Sequence, residues 1–282
     1  MKKYLMSLSI LALAGCSSTG SKQTSESAAP PVAVTDAPEL TPEGKKALAE
    51  EPVRPVVKVQ PSQYDALNEA IKVQSDDKIY AAATHILTQT PEDAKALNAL
   101  AMYHYKRSRF DLSKYLLNKA LSGNPKMGEL YSNLGVVQLA QSEQREAIQS
   151  FRKALDINGN DVVASANLGS IYAQEKDFVK AEVVLEVAYR RGVRDARVLN
   201  NYALALAARG KSGKAEEIYQ ILLKDHGNMK EGLYNYAILL VDNMGKYAEG
   251  LEVINRLKFV GGPPDSRNKI IALENKAKAG LK

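Results

Sequence analysis

An all-α solenoid is the fold this sequence predicts, and three in-phase series of residues predict it. Small residues recur every 34 positions at Ala101, Gly135, Gly169, Ala203 and Ala237. A second small series follows twelve positions on, at Ser113, Ala147, Ala181 and Ala215, then at Gly250 after a one-residue slip. Large residues keep the same step, at Leu100, Leu134, Leu168, Tyr202 and Tyr236, and at Leu117, Phe151, Leu185 and Tyr219. A fixed period of this length marks stacked units, each too small to bury its own core. Such a chain is usually a binding surface, not a catalyst.

The segments before the repeats read as an address and a tether. Lys2 and Lys3 form a short positive region, and Tyr4 to Ala14 is an apolar stretch of eleven residues. A membrane-spanning helix needs about 20 apolar residues, so this stretch reads as the core of a signal peptide. Leu13-Ala14-Gly15-Cys16 then resembles the bacterial lipobox. That resemblance implies a signal peptide over 1–15, cleavage before Cys16 and covalent lipid on the Cys16 thiol, with acylation of the new amino group by a chain such as palmitate. Several acyl chains give durable anchoring where one binds only marginally. Ser17 stands where an Asp often retains such lipoproteins at the inner membrane. The family pattern therefore implies an outer-membrane anchor facing the periplasm. Cys16 is the only Cys of the chain, which leaves no disulfide and no cysteine-ligated zinc. Residues 16–60 are rich in Pro, Ser, Ala and Val and cannot bury enough surface to fold alone. As a flexible coil this tether spans roughly 35–40 Å root-mean-square. Within it, Thr41 to Glu51 is a candidate short helix, with Thr41 as N-cap and Pro42 at the first helical position.

From residue 61 the period is helical and runs to 264. The clearest unit spans Gly128 to Asp161. Leu130, Tyr131, Leu134, Val137 and Gln138 mark its first helix, and Ser142 to Gln144 make a turn. Ala147, Ile148, Phe151, Ala154 and Leu155 mark its second helix. The layout recurs at 94–127, 162–195 and 196–229, in a degenerate form at 60–93, and at 230–264 with one extra residue near Asn243-Met244-Gly245. Gly inside a helix costs about 1 kcal/mol relative to Ala. Gly135 and Gly169 carry that cost at one phase, which predicts close approach of the two helices there. After Gly261-Gly262-Pro263-Pro264, residues 265–282 predict a capping helix and tail, with Asp265 or Ser266 as N-cap and Ile270, Leu273, Ala277 and Leu281 on its inner face.

The pattern Tyr131…Leu134-Gly135…Ala147…Phe151…Ala154 resembles the tetratricopeptide repeat. The resemblance implies a right-handed superhelical solenoid of stacked antiparallel helix hairpins, about six units. It also implies that first helices line a concave groove that holds a protein partner. Asn133, Asn167, Asn201 and Asn235 recur there at 34-residue steps. Asn is a mediocre helix former, so four in phase ask for a reason. One reading is a ladder of amides that bond the backbone of a bound extended segment. The other is that each amide bonds the neighbouring repeat and orders the stack. Asn98, Met102, Tyr105, Arg197 and Tyr234 stand beside this row as further groove candidates. The paired Lys/Asn pattern with which chaperone-binding members clamp a terminal carboxylate is missing.

Other features read as structural. Arg190, Arg191, Arg194 and Arg197, with Arg209, Lys211 and Lys214, suit either an acidic partner or a solvated turn, and the turn is favoured. Gly210-Lys211-Ser212 imitates the tail of a phosphate loop without its first Gly or its strand. His85, His104 and His226 have no ligand-spaced companions. No catalytic constellation stands out. With a formal charge of +6 and no arginine-rich tract or aromatic platform, nucleic acid is a poor partner. No small-molecule substrate and no cofactor beyond the Cys16 lipid is expected. As an architecture, lipobox, tether and six repeats are similar to the lipoprotein pilotins of type IV pilus secretins and to lipoproteins of gliding-motility machinery. The alternatives are an adaptor for cell-wall enzymes or barrel assembly, or, in another class, a hydrolase.

Overall fold

The structure is a computed structural model and describes residues 61–282. The expected signal peptide, Cys16, the tether and the candidate helix at Thr41–Glu51 lie outside the described residues. Within them are thirteen α-helices, one five-residue π-turn and no strand. The first hairpin is α1 (Gln63–Lys72) with α2 (Asp76–Gln89). Then come α3 (Ala94–Lys106) with α4 (Phe110–Gly123), and α5 (Gly128–Ala140) with α6 (Gln144–Ile157). The next are α7 (Val162–Gln174) with α8 (Phe178–Arg190), and α9 (Ala196–Ala208) with α10 (Ser212–Asp225). The last hairpin joins α11 (Lys230–Ile238), extended by the π-turn Leu239–Asn243, to α12 (Tyr247–Val260), and α13 (Arg267–Gly280) packs against them.

Missing side chains let each hairpin close. A β-carbon on Gly135 would lie 2.6 Å from Phe151 Cε1, and one on Gly169 would lie 2.5 Å from Leu185 Cγ. Gly250 stands in the same relation to Val241 Cγ2, at 2.5 Å. Phe151 and Leu185 are wholly buried, so neither has room to yield. Between α5 and α6 one buried polar pair is satisfied, Ser150 Oγ donating to Gln138 Oε1 at 2.7 Å. The apolar interior forms three clusters, two shared between neighbouring hairpins and the third between the last hairpin and α13, as expected when no unit holds a core alone.

Two local devices keep the period. First, the turn inside each hairpin carries a left-handed residue: Gln74, Ser108, Ser142, Lys176, Gly210 and Gly245 have φ of 54, 57, 62, 61, 75 and 66°. Only Gly210 and Gly245 hold that conformation without a β-carbon; a left-handed L-residue costs about 1–2 kcal/mol. Lys176→Gly, at an exposed turn, is therefore expected to raise stability by about 0.5–1 kcal/mol after glycine's own entropic cost. A higher urea midpoint at unchanged denaturant slope checks this. Second, the aspartates Asp93, Asp161 and Asp195 cap first helices by accepting from Ala96 N, Ala164 N and Val198 N at 2.8, 2.8 and 3.2 Å. Asp93 and Asp161 also accept from the preceding repeat, from Tyr64 Oη and from Ser132 Oγ respectively.

The last hairpin's extra residue is absorbed inside its first helix, ahead of the predicted Asn243-Met244-Gly245. The π-turn brings Leu239, Leu240 and Val241 into the core together, each 1% exposed. At the cap, Ser266 is the N-cap residue, but its hydroxyl donates back to Pro263 O at 2.5 Å instead of accepting from the helix. Leu281 is 55% exposed and does not join the inner face of Ile270, Leu273 and Ala277.

Packing defines the curvature. Each first helix from α3 to α9 touches the first helix of the following unit, whereas second helices do not approach their successors comparably. First helices therefore converge on the inside of a superhelix and second helices splay on the outside.

Candidate functional site

Three rows of side chains run along the inner face. The first carries Lys95, Glu129, Val163, Arg197 and Glu231, a basic–acidic pair on either side of an apolar residue. The second is Ala99 followed by the four amides Asn133, Asn167, Asn201 and Asn235. The third is mainly apolar: Met102, Val136, Ser170, Leu204 and Ile238, all half-buried. Positions four and seven residues beyond the first row fall on one helical face, which is why each helix contributes one residue to each row. Packed helices sit about 8–10 Å apart, and an extended chain rises about 3.3 Å per residue. Each repeat therefore matches about three residues of an extended segment.

The amides are not equivalent. Asn133 Nδ2 donates to Asn98 Oδ1 at 2.7 Å, and Asn235 Nδ2 donates to Asn200 Oδ1 at 3.1 Å. Both bonds join one repeat to the next. Asn167 is only 7% exposed, and its Nδ2 donates to Val163 O of its own helix at 2.8 Å, so it is spent within the scaffold. Asn201 makes no side-chain hydrogen bond among the described residues and is half-buried. Spacing explains the difference. The acceptor lies 35 residues back, and that position holds Asn98 and Asn200 in two cases but Ser132 and Ala166 in the others. Ser132 is committed to Asp161 at 2.6 Å, and Ala166 offers nothing.

The remaining candidates divide. Met102 and Arg197 lie in the rows. Asn98 is 7% exposed and belongs to the layer beneath them, where its Nδ2 donates to Glu129 Oε1 at 2.9 Å. Tyr234 occupies the matching layer of its own repeat; burial and then Asp242 push its hydroxyl pKa up. Tyr105 is a correction. It is 8% exposed, packs against Phe110 at 5.8 Å between ring centroids, and buries its hydroxyl without a partner. It is a core residue because the helix turns it past the groove toward the start of α4.

The basic cluster is largely absorbed by the scaffold. Arg190 pairs with Glu186, and Arg191 donates to Asn160 Oδ1. Arg194 donates to the Tyr189 and Val193 carbonyls and lies over the Tyr189 ring. Arg209 and Lys211 converge on Glu182, joining neighbouring hairpins. Burial opposes ionisation of Glu182, but these two cations hold its pKa below the usual carboxylate value. Similar ties, Lys114–Glu143 and Lys246–Glu216, run along the same edge. Gly210-Lys211-Ser212 is the turn from α9 to α10. His104 is buried in packing, its pKa pulled down by burial and then by Arg109 and Arg107.

Sequence reasoning missed the aspartate caps and the 35-residue amide pairs. The caps had a signal, an Asp two or three residues ahead of each partner amide at 34- and 68-residue steps. On the outside, α6 and α8 splay over a shallow cleft of about 420 Å³ lined by Arg152, Leu155, Tyr172, Val179, Lys180 and Val183. Among the described residues, no group of three or more His, Cys, Asp or Glu is placed to hold a metal ion, and no helix is long and apolar enough to cross a membrane.

Residues 98–162 match the family model described as Tetratricopeptide repeat. The chain is 24% identical over 165 residues to the type IV pilus assembly protein PilF of Pseudomonas aeruginosa, covering 55% of this chain and 64% of PilF. It is also 24% identical over 131 residues to a TPR repeat-containing protein of Dictyostelium discoideum, covering 44% of this chain and 50% of that one. The match thus spans less than two thirds of either relative. Among solved structures, it resembles YrrB, a TPR protein described as having an unusual peptide-binding site. There the TM-score is 0.56 at 19% identity, with 70% of this chain and 98% of that chain covered. A MamA mutant superposes with a TM-score of 0.53 at 17% identity, covering 60% of this chain and 97% of that one. These likenesses establish the repeat fold.

Proposed function

We propose that this tetratricopeptide-repeat protein is a scaffold hung from the outer membrane by lipid on Cys16, and that its inner face holds an extended segment of a protein partner. The observation that carries the reading is the set of three continuous rows. They place charged, amide and apolar side chains in register over at least four repeats, with Asn201 free to bond a ligand. An extended segment has backbone donors and acceptors to satisfy and side chains on two faces, and such rows match both needs. The likeness to a type IV pilus assembly protein supports a place in that assembly. The partner on this reading is a subunit of an outer-membrane machine such as the pilus secretin, with a gliding-motility complex as the related case. The lipobox residues Leu13-Ala14-Gly15-Cys16 support the anchor.

Asn201→Ala tests the groove cleanly, because the Asn201 side chain makes no hydrogen bond among the described residues. Capture of the secretin subunit is expected to fall by up to about tenfold, with an unchanged melt. Asn133→Ala is expected to lower both capture and melting, since it also breaks the tie to Asn98. Full capture by Asn201→Ala at intact fold would remove the amide row from the binding account.

A further inference from the structure

Charge is segregated along the solenoid. Residues 61–255 contain 24 Lys and Arg against 24 Asp and Glu, whereas residues 256–282 contain seven against two. The whole positive excess of the described residues therefore lies on the last turns of α12 and on α13. Lys258 and Lys278 share one carboxylate, Glu274, and Lys276 pairs with Asp242. Arg256, Arg267, Lys269 and Lys282 are exposed and have no ion-pair partner among the described residues. The acidic side chains nearest along α12, Glu249 and Glu252, lie one to two turns back from Arg256.

An apolar feature coincides with this charge. Phe259 is 93% exposed, the most exposed large hydrophobic side chain described. Ile270, Leu273 and Ala277 commit one face of α13 to the core. Arg267, Ile271, Lys278 and Lys282 fall together on another face, with Ile271 46% exposed. The basic groups are spread over two helices and the aromatic ring projects outward. A planar interface takes both at once: headgroups meet the cations, long basic side chains lie along it, and the ring enters the interfacial layer.

We infer that this end of the solenoid docks on an anionic phospholipid surface. Such a contact would set the orientation of the groove relative to the bilayer, and it does not depend on the Cys16 anchor or on groove occupancy. The test uses the full chain carrying Cys16→Ser, so that no acyl chain contributes. Co-sedimentation is compared on vesicles of phosphatidylcholine alone and of phosphatidylcholine with roughly one third phosphatidylglycerol. Binding is expected on the anionic vesicles only, weakening as salt rises. Arg267→Glu and Lys282→Glu together are expected to weaken it about 25-fold, at about fivefold or more per basic side chain. Phe259→Ser is expected to weaken it severalfold while leaving its salt dependence and the melt unchanged. Equal binding to both vesicle types overturns the inference. Parental affinity in both variants also overturns it. So does binding to polyglutamate with none to anionic vesicles, which would assign the surface to an acidic protein.

Discussion

A leucine in place of Gly135 is expected to loosen or unfold the centre of the stack, lowering stability by about 3 kcal/mol or more. Even a methyl at this position would meet Phe151 at 2.6–2.8 Å on three ring atoms. Phe151 is wholly buried against the next repeat and has no free rotamer to take up. The hairpin must open, and opening it removes the surface on which α7 packs. Phe151→Ala alone is expected to cost about 3–5 kcal/mol through its cavity. Combined with Gly135→Leu it should cost much less than the sum, because the leucine fills the vacated space. Additive losses in that cycle, measured by denaturant unfolding, would mean that the glycine serves something other than the ring.

The second large effect concerns the anchor. Cys16→Ser is expected to release the protein wholly from the salt-washed membrane fraction, as a soluble or unprocessed chain without acyl label. Only the thiol can carry the thioether lipid, and this chain has a single Cys. The salt wash matters because a headgroup contact at α13 is screened by salt whereas buried acyl chains are not. Unchanged fractionation with normal acyl labelling would defeat the lipoprotein reading.

The stacking of the hairpins was legible in the sequence because it rests on side-chain volume. Gly135, Gly169 and Gly250 stand where β-carbons are excluded, and their partners Phe151, Leu185 and Val241 are core residues. What was not legible depends on backbone conformation or on pairs at unequal spacing. Ser142 and Lys176 hold left-handed turns that composition would assign to Gly, because the closed hairpin imposes the conformation. The extra residue of the last unit vanished into a π-turn, since burying Leu239, Leu240 and Val241 together outweighs an irregular hydrogen-bond ladder. Tyr105 looked like a groove residue from its phase with Asn98 and Met102. The structure buries Asn98 and Tyr105 and leaves Met102 between them half-buried, so of the three only Met102 reaches the groove. The amide row was visible as a period, but which members are spent on the stack depended on the residue 35 positions back.

On this reading the partner lies along the first helices. The measurement closest to it places a photo-crosslinking amino acid at Leu204, in the apolar row, or at Glu217, on the exposed side of α10, in otherwise intact cells. The account predicts an adduct with an outer-membrane machine subunit from position 204, mapping to one extended stretch of that subunit, and none from position 217. An adduct formed from 217 alone would put the partner on the outer face and contradict the account.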